Sequence, residues 1–194
     1  MKRLVVGLAG GVGSGKSTIA QFFRKWGVRI VDADAIGHRV LDDPTVRARL
    51  ARLWGRGILR GGRVDRAALA RAAFRSKDAV ARLNGTVHPA ILREIRRQVS
   101  GTRGCVLLDA ALLYETGSDR LCDRMIFVDA PRAVRARRTA ARGWSPGELA
   151  RRERFQWPAA YKKKRADYVI NNTGPKSNAR KRACTIFHEL QSLL

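Results

Sequence analysis

Short apolar runs alternate with longer amphipathic stretches along this chain. Five runs read as buried strands: residues 4–8 (LVVGL), 28–32 (VRIVD), 105–109 (CVLLD), 125–129 (MIFVD) and 168–171 (YVIN). Each is rich in Val, Ile or Leu and too short for a helix. Between them the apolar period lengthens. Ile19, Ala20, Phe22, Phe23 and Trp26 fit one face of a helix that Gly27 stops. Pro44 opens a second helix over Val46, Leu50, Leu53 and Trp54. Gly55, Gly57, Gly61 and Gly62 then mark a loop or short hairpin, Asp65 caps a helix, and Ser76 caps another through Val80 and Leu83. His88-Pro89 is expected to open a further helix ending near Val99, and Pro131 to begin one carrying Arg135, Arg138 and Arg142. Near residue 145 a capping box is expected, with Ser145 as cap, Pro146 as first helical residue and Glu148 reaching back. A last helix uses Ala183, Ile186, Phe187, Leu190 and Leu194.

Strands alternating with helices predict an α/β fold: a five-stranded parallel sheet sandwiched by helices. The helix-rich block between the second and third runs is too long for a simple crossover. The expected organisation is therefore a core of residues 1–33, 101–134 and 166–194, a mainly helical insertion of 34–100 that holds a second substrate, and a lid of 135–165.

Composition narrows this picture a little. The 194 residues suffice for a sizeable core. Lys and Arg number 40 against 16 Asp and Glu, a net charge of +24. That balance suits polyanionic partners, from nucleotides to nucleic acid. Much of the arginine lies at helical spacing beside alanine, which reads as solvated helix faces, and no nucleic-acid motif accompanies it. The three cysteines, Cys105, Cys122 and Cys184, lack metal-ligand spacing, so a reduced, cytoplasmic protein is expected. No apolar stretch approaches 18 residues, so no membrane span is expected. A signal peptide is not expected either, because the first apolar run breaks at once into glycines.

The chemistry concentrates there. Gly10–Thr18 reads GGVGSGKST and contains G-x-x-x-x-G-K-[ST]. Glycines let several backbone N–H groups converge on one anion, and the following helix aims its N-terminus at the same place. Gly11, Val12, Gly13, Ser14, Gly15, Lys16, Ser17 and Thr18 form the candidate ATP cradle; Lys16 reaches the β- and γ-phosphates and Ser17 holds Mg²⁺. Strand two ends in Asp32-Ala33-Asp34, where period-two geometry would put both carboxylates on one side of the ligand-binding edge. Asp34 there is either a base for an attacking hydroxyl or a helix cap. Strand three ends in Asp109, in the manner of a second magnesium-organising element. Arginines around the turn near residue 145 suit either a flap closing over triphosphate or a plain basic hairpin.

Together these motifs resemble one family, dephospho-CoA kinase. The matching blocks are Gly7–Ser17 (GLAGGVGSGKS), Val31-Asp32-Ala33-Asp34, Leu83-Asn84 through His88-Pro89, Asp109–Glu115 (DAALLYE), Arg138 with Arg142, Gln156, and Lys162 with Ala166–Asn172 (ADYVINN). The resemblance implies transfer of the ATP γ-phosphate to the ribose 3′-hydroxyl of dephospho-CoA, giving coenzyme A and ADP. It makes Asp34 the base, with Lys16, Arg138 and Arg142 as the other catalytic residues. It puts His88, Leu112, Leu113, Tyr114 and Glu115 on the acceptor side with Asp34, makes 34–100 the CoA-binding region, and pairs Asp109 with Ser17 at Mg²⁺. ATP and dephospho-CoA are then the partners of an expected monomer, with no membrane and no specific nucleic acid. Ala9, Ala111 and Tyr114 stand where the family usually has threonine, proline and phenylalanine. Two other readings share parts of the pattern: another small-molecule or nucleoside P-loop kinase, and a nucleic-acid-binding P-loop protein.

Overall fold

A computed structural model describes residues 2–145 and 147–194. Five strands form one sheet: β1 (Arg3–Gly10), β2 (Arg29–Asp32), β5 (Gly104–Asp109), β6 (Arg124–Asp129) and β7 (Tyr168–Asn171). Their order is β2-β5-β1-β6-β7 and every pairing is parallel. The central strand β1 is buried from Leu4 through Gly10, as a strand covered on both faces must be. The edge strands β2 and β7 are only four residues long and keep exposed positions, which limits stray pairing. The intervening labels belong to a two-stranded antiparallel hairpin, β3 (Leu59–Arg60) and β4 (Arg63–Val64).

The chain divides into two compact units, Met1–Asp32 with Val99–Leu194, and Ala33–Gln98. In the first, α1 (Lys16–Lys25) and α9 (Lys176–Gln191) cover the sheet. Phe22, Phe23, Ala183, Ile186 and Leu190 join Val6, Leu8, Leu107 and Ile126 in one core. Trp26 closes it, with its ring 5.5 Å from Phe23 and 5.4 Å from Phe187. Gly27 ends α1, and Val28 N–H donates back to Phe23 O at 3.0 Å. Three further helices follow β6: α6 (Arg132–Ala140), α7 (Glu148–Glu153) and α8 (Ala159–Lys164).

The second unit holds α2 (Ala33–Val40), α3 (Pro44–Trp54), the hairpin, α4 (Arg66–Ala73) and most of α5 (Lys77–Ser100). Asp43 caps α3 by accepting from Thr45 N–H at 2.9 Å, and Asp65 caps α4 by accepting from Ala67 N–H at 2.9 Å. Ser76 Oγ accepts from Ala79 N–H at 3.1 Å.

Several local expectations give way. Pro89 does not open a helix: α5 runs unbroken through it for 24 residues. The carbonyl that Pro89 cannot serve belongs to exposed Gly85 and is open to water, while Val87, Ala90 and Ile95 bury on the inner face and hold the helix together. Ser145 does not cap α7. That helix begins at Glu148 behind Gly147, whose φ of 93° only glycine adopts readily, and Glu148 pairs instead with Arg151 and Arg152. Pro146 lies outside the described residues. Pro131 precedes its helix as the N-cap rather than starting it. Finally, strand geometry stops at Asp32 and Ala33 is already helical, so the two-residue alternation cannot relate Asp32 to Asp34. Asp34 lies inside the first turn of α2 instead of capping it. No helix among the described residues is long and apolar enough to cross a membrane.

Candidate active site

The turn Gly10–Gly15 leaves the carboxyl end of β1 and enters α1. Gly13 and Gly15 have φ values of 78° and 96°. At Gly15 a Cβ would also come within 2.2 Å of Asn172 Nδ2, so any other residue would strain the backbone and push away the amide that holds Ser14 O. The loop closes on itself through Ser14 N–H to Gly11 O at 3.0 Å. Its underside is clamped from far along the chain. Asn172 Nδ2 donates to Ser14 O at 2.7 Å, and Arg138 donates to Ser14 O at 3.1 Å and to Asn172 O at 2.6 Å. Arg135 donates to Val12 O at 3.1 Å and to Ala130 O at 3.0 Å. The carbonyls of Gly11, Val12 and Ser14 are thus occupied within the protein, as are the Ser14 and Thr18 amides, and the amides of Gly13, Gly15, Lys16 and Ser17 with the positive end of α1 are the donors offered to an anion.

Lys16 opens α1 and its ammonium meets Asp109 Oδ1 at 3.2 Å. Asp109 ends β5 and lies in register with Asp32 at the end of β2, so two carboxylates face the same sheet edge beside the loop. Ser17 is exposed in the first turn of α1. Among the described residues no three carboxylates, histidines or cysteines gather into a metal cage.

Behind β5 the segment Ala110–Gly117 is stapled to the stretch that contains α8. Glu115 Oε1 accepts from Lys162 Nζ at 2.6 Å and from Trp157 N–H at 2.6 Å. Gln156 Nε2 donates to Ala111 O at 3.2 Å, and Tyr114 OH to Lys162 O at 3.4 Å. Tyr114 is buried and stacked on Trp157 with centroids 6.3 Å apart; burial pushes its phenol up to about 12, so it stays protonated. Leu113 is 1% exposed and belongs to the core, while Leu112 is partly exposed. Beside Gly11 a cavity of about 270 Å³ is walled by Arg135, Glu153, Gln156, Trp157 and Lys162. Glu153 on α7 is paired with Arg135 and, at 3.6 Å, with Arg132.

The predicted site residues thus divide. The loop, Lys16, Ser17, Asp109, Arg138, Leu112, Leu113, Tyr114 and Glu115 lie in the first unit, as does Arg142, which is exposed in the turn after α6. Asp34 and His88 lie in the second. His88 is half-buried on α5, and burial lowers its imidazole below the usual range, keeping it neutral near pH 7. Arg138 spends its guanidinium on two carbonyls in this conformation. Sequence reasoning missed the roles of Arg135, Glu153 and Asn172. Two signals were available: Asn172 closes one of the matching blocks, and the i,i+3 spacing of Arg135 and Arg138 puts both on one helix face.

The family model for dephospho-CoA kinase matches residues 4–178. A protein of that name from Corynebacterium diphtheriae is 40% identical over 178 residues, covering 88% of each chain. One from Methylococcus capsulatus is 42% identical over 175 residues, covering 87% of each. A crystal structure of a Thermus thermophilus protein superposes with a TM-score of 0.88 at 35% identity, covering 97% of this chain and 98% of that one.

Proposed function

Because the chain belongs to the dephospho-CoA kinase family, we propose that its phosphate loop carries ATP and that the acceptor is the ribose 3′-hydroxyl of dephospho-CoA. The enzyme is a phosphotransferase acting in the last step of coenzyme A biosynthesis. The observation that carries the residue assignment is the clamped loop with its ammonium: Gly13 and Gly15 at positive φ, the start of α1, and Lys16 held at the sheet edge by Asp109.

The triphosphate lies along Gly13–Thr18, where the clamped loop and the start of α1 set the donors before the ligand arrives, so little reorganisation is needed. Lys16 moves from Asp109 toward the β- and γ-phosphates, where charge is greatest. Asp34, in the first turn of α2, accepts the proton of the 3′-hydroxyl. The oxygen lone pair forms the new O–P bond. The bond from phosphorus to the β,γ-bridging oxygen breaks, and its electron pair leaves with ADP. Arg138 and Arg142 supply further positive charge from α6 and the turn behind it. His88, Leu112, Tyr114 and Glu115 shape the acceptor side, and residues 34–100 bind the rest of the acceptor, with 135–165 as lid.

Mg²⁺ suits this donor set. The Ser17 hydroxyl and the Asp109 carboxylate are hard oxygen ligands, and a phosphate-bound Mg²⁺ needs only one or two such protein groups. When bound, it neutralises β- and γ-phosphate oxygens and so lowers the repulsion against an incoming alcohol.

The deciding experiment incubates the purified protein with ATP, Mg²⁺ and dephospho-CoA and weighs the product. Coenzyme A and ADP in equal amounts are expected. Phosphorylation of nucleosides only would overturn the acceptor assignment.

A further inference from the structure

Lys162 is the most deeply buried cation among the described residues for which a burial figure stands, its side chain 2% exposed. Its ammonium has three hydrogens to donate, and one contact, to Glu115 Oε1 at 2.6 Å, occupies one of them. The same side chain walls the cavity of about 270 Å³ that opens beside Gly11. A second cation, Arg135, walls the cavity from the other helix and also holds the loop carbonyl of Val12. Glu153, the acid on that wall, is already engaged by Arg135 and Arg132. Glu115 is engaged through Oε1 by Lys162 and by Trp157 N–H, while its Oε2 is buried without a hydrogen-bond partner. A water-shielded ammonium with donors to spare, next to the lip of a phosphate loop, is built to meet an oxyanion.

The geometry points to Lys162 as a further catalytic residue, donating from Nζ to a non-bridging oxygen of the phosphoryl group as it passes from donor to acceptor. The inference rests on the kinase reading above and adds a residue to that site. Glu115 then has a defined part. It holds the ammonium in place through one oxygen while leaving the remaining hydrogens toward the cavity. Gln156, bonded to Ala111 O, keeps the cavity wall fixed to the segment that carries Glu115. In a shielded site such a contact acts on charge that builds in the transition state, so its loss falls on kcat rather than on ATP affinity.

The rival explanation is a strut: Lys162 and Glu115 join two segments and do nothing else. Removing one partner of a buried ion pair leaves the other charge stranded, so Lys162→Met alone would confuse misfolding with lost catalysis. The test therefore compares Lys162→Met/Glu115→Gln with Glu115→Gln. Neither keeps the ion pair, and they differ by the ammonium. Rates are referred to the folded fraction, and unfolding midpoints are measured beside them. The double variant is expected to lose about 10²-fold in kcat relative to Glu115→Gln, with KM for ATP within about threefold. Lys162→Arg, which keeps a cationic donor, should stay within about tenfold of wild type. Equal kcat in the double variant and Glu115→Gln would overturn the inference, as would a loss confined to KM. The slow hydrolysis of ATP in the absence of acceptor is compared in the same proteins. If wild type makes no coenzyme A, the acceptor reading fails, and the hydrolysis rates still decide the role of Lys162.

Discussion

Lys16 and Asp34 carry opposite halves of the proposed reaction, and their variants should fail differently. Lys16→Ala removes the ammonium at the start of α1, and phosphoryl transfer should be nearly abolished with ATP binding also weakened, read by coupled turnover and by nucleotide titration. Asp34→Asn keeps the size of the side chain but cannot take a proton. It should lower kcat by about 10²-fold or more with little change in ATP affinity. Wild-type turnover in that variant would leave Asp34 with its helix-dipole role in α2 alone. A third residue makes a pH prediction. Glu94 accepts from Arg97 Nε and Nη2 at 2.7 Å each and from Gln98 Nε2 at 2.8 Å, and the Arg97 hydrogen bonds draw its carboxyl from 4.5 down to about 2. A depressed carboxylate stabilises the fold above its unfolded pKa and ceases to do so as pH falls through the folded value. The urea midpoints of wild type and Glu94→Gln should therefore differ at pH 6 and converge as pH drops from about 4.5 toward about 2. The separation should be small, because the Arg97 side chain is 73% exposed and water screens the pair.

Among the elements, α5 shows most clearly where local rules lose. Proline ought to end a helix at the residue before it. Here the apolar positions on both sides of Pro89 share one buried face, and the gain from that face outweighs one missing hydrogen bond. Pro89→Ala should restore the N–H without disturbing the face. It is expected to raise the stability of the helical unit by up to about 3 kcal/mol, measured by urea unfolding. The strands were legible to within a residue or two because a parallel sheet buried on both faces needs continuous apolar runs. The start of α7 was not. Ser145 and Glu148 have the right spacing for a capping box, but Gly147 at φ 93° turns the chain one residue before the helix begins. Spacing alone does not reveal which of two neighbouring turns a chain will take.

For the molecule as a whole, the net charge of +24 acts on encounter rather than on chemistry. Both proposed substrates are polyanions, so a positive field raises their capture rate, and salt screens it within about 10 Å at 0.1 M. Raising ionic strength from about 50 to 500 mM should lower kcat/KM for both substrates several-fold while leaving kcat nearly unchanged, as steady-state kinetics would show. A kcat that fell in parallel would mean that the charge acts within the bound complex.

The sequence by itself determined the glycine loop and the sheet. A glycine loop, the lysine and serine behind it and the strand before it are neighbours in the chain, so their relation is set by backbone angles and short spacing. Tertiary structure alone decided what surrounds them. Asn172 reaches Ser14 across 158 positions and Arg135 reaches Val12 across 123. Lys162 meets Glu115 only because α8 and the segment after β5 fold together. Such contacts leave no local pattern to read, because each residue is chosen by a partner that the chain brings near only when the core has formed.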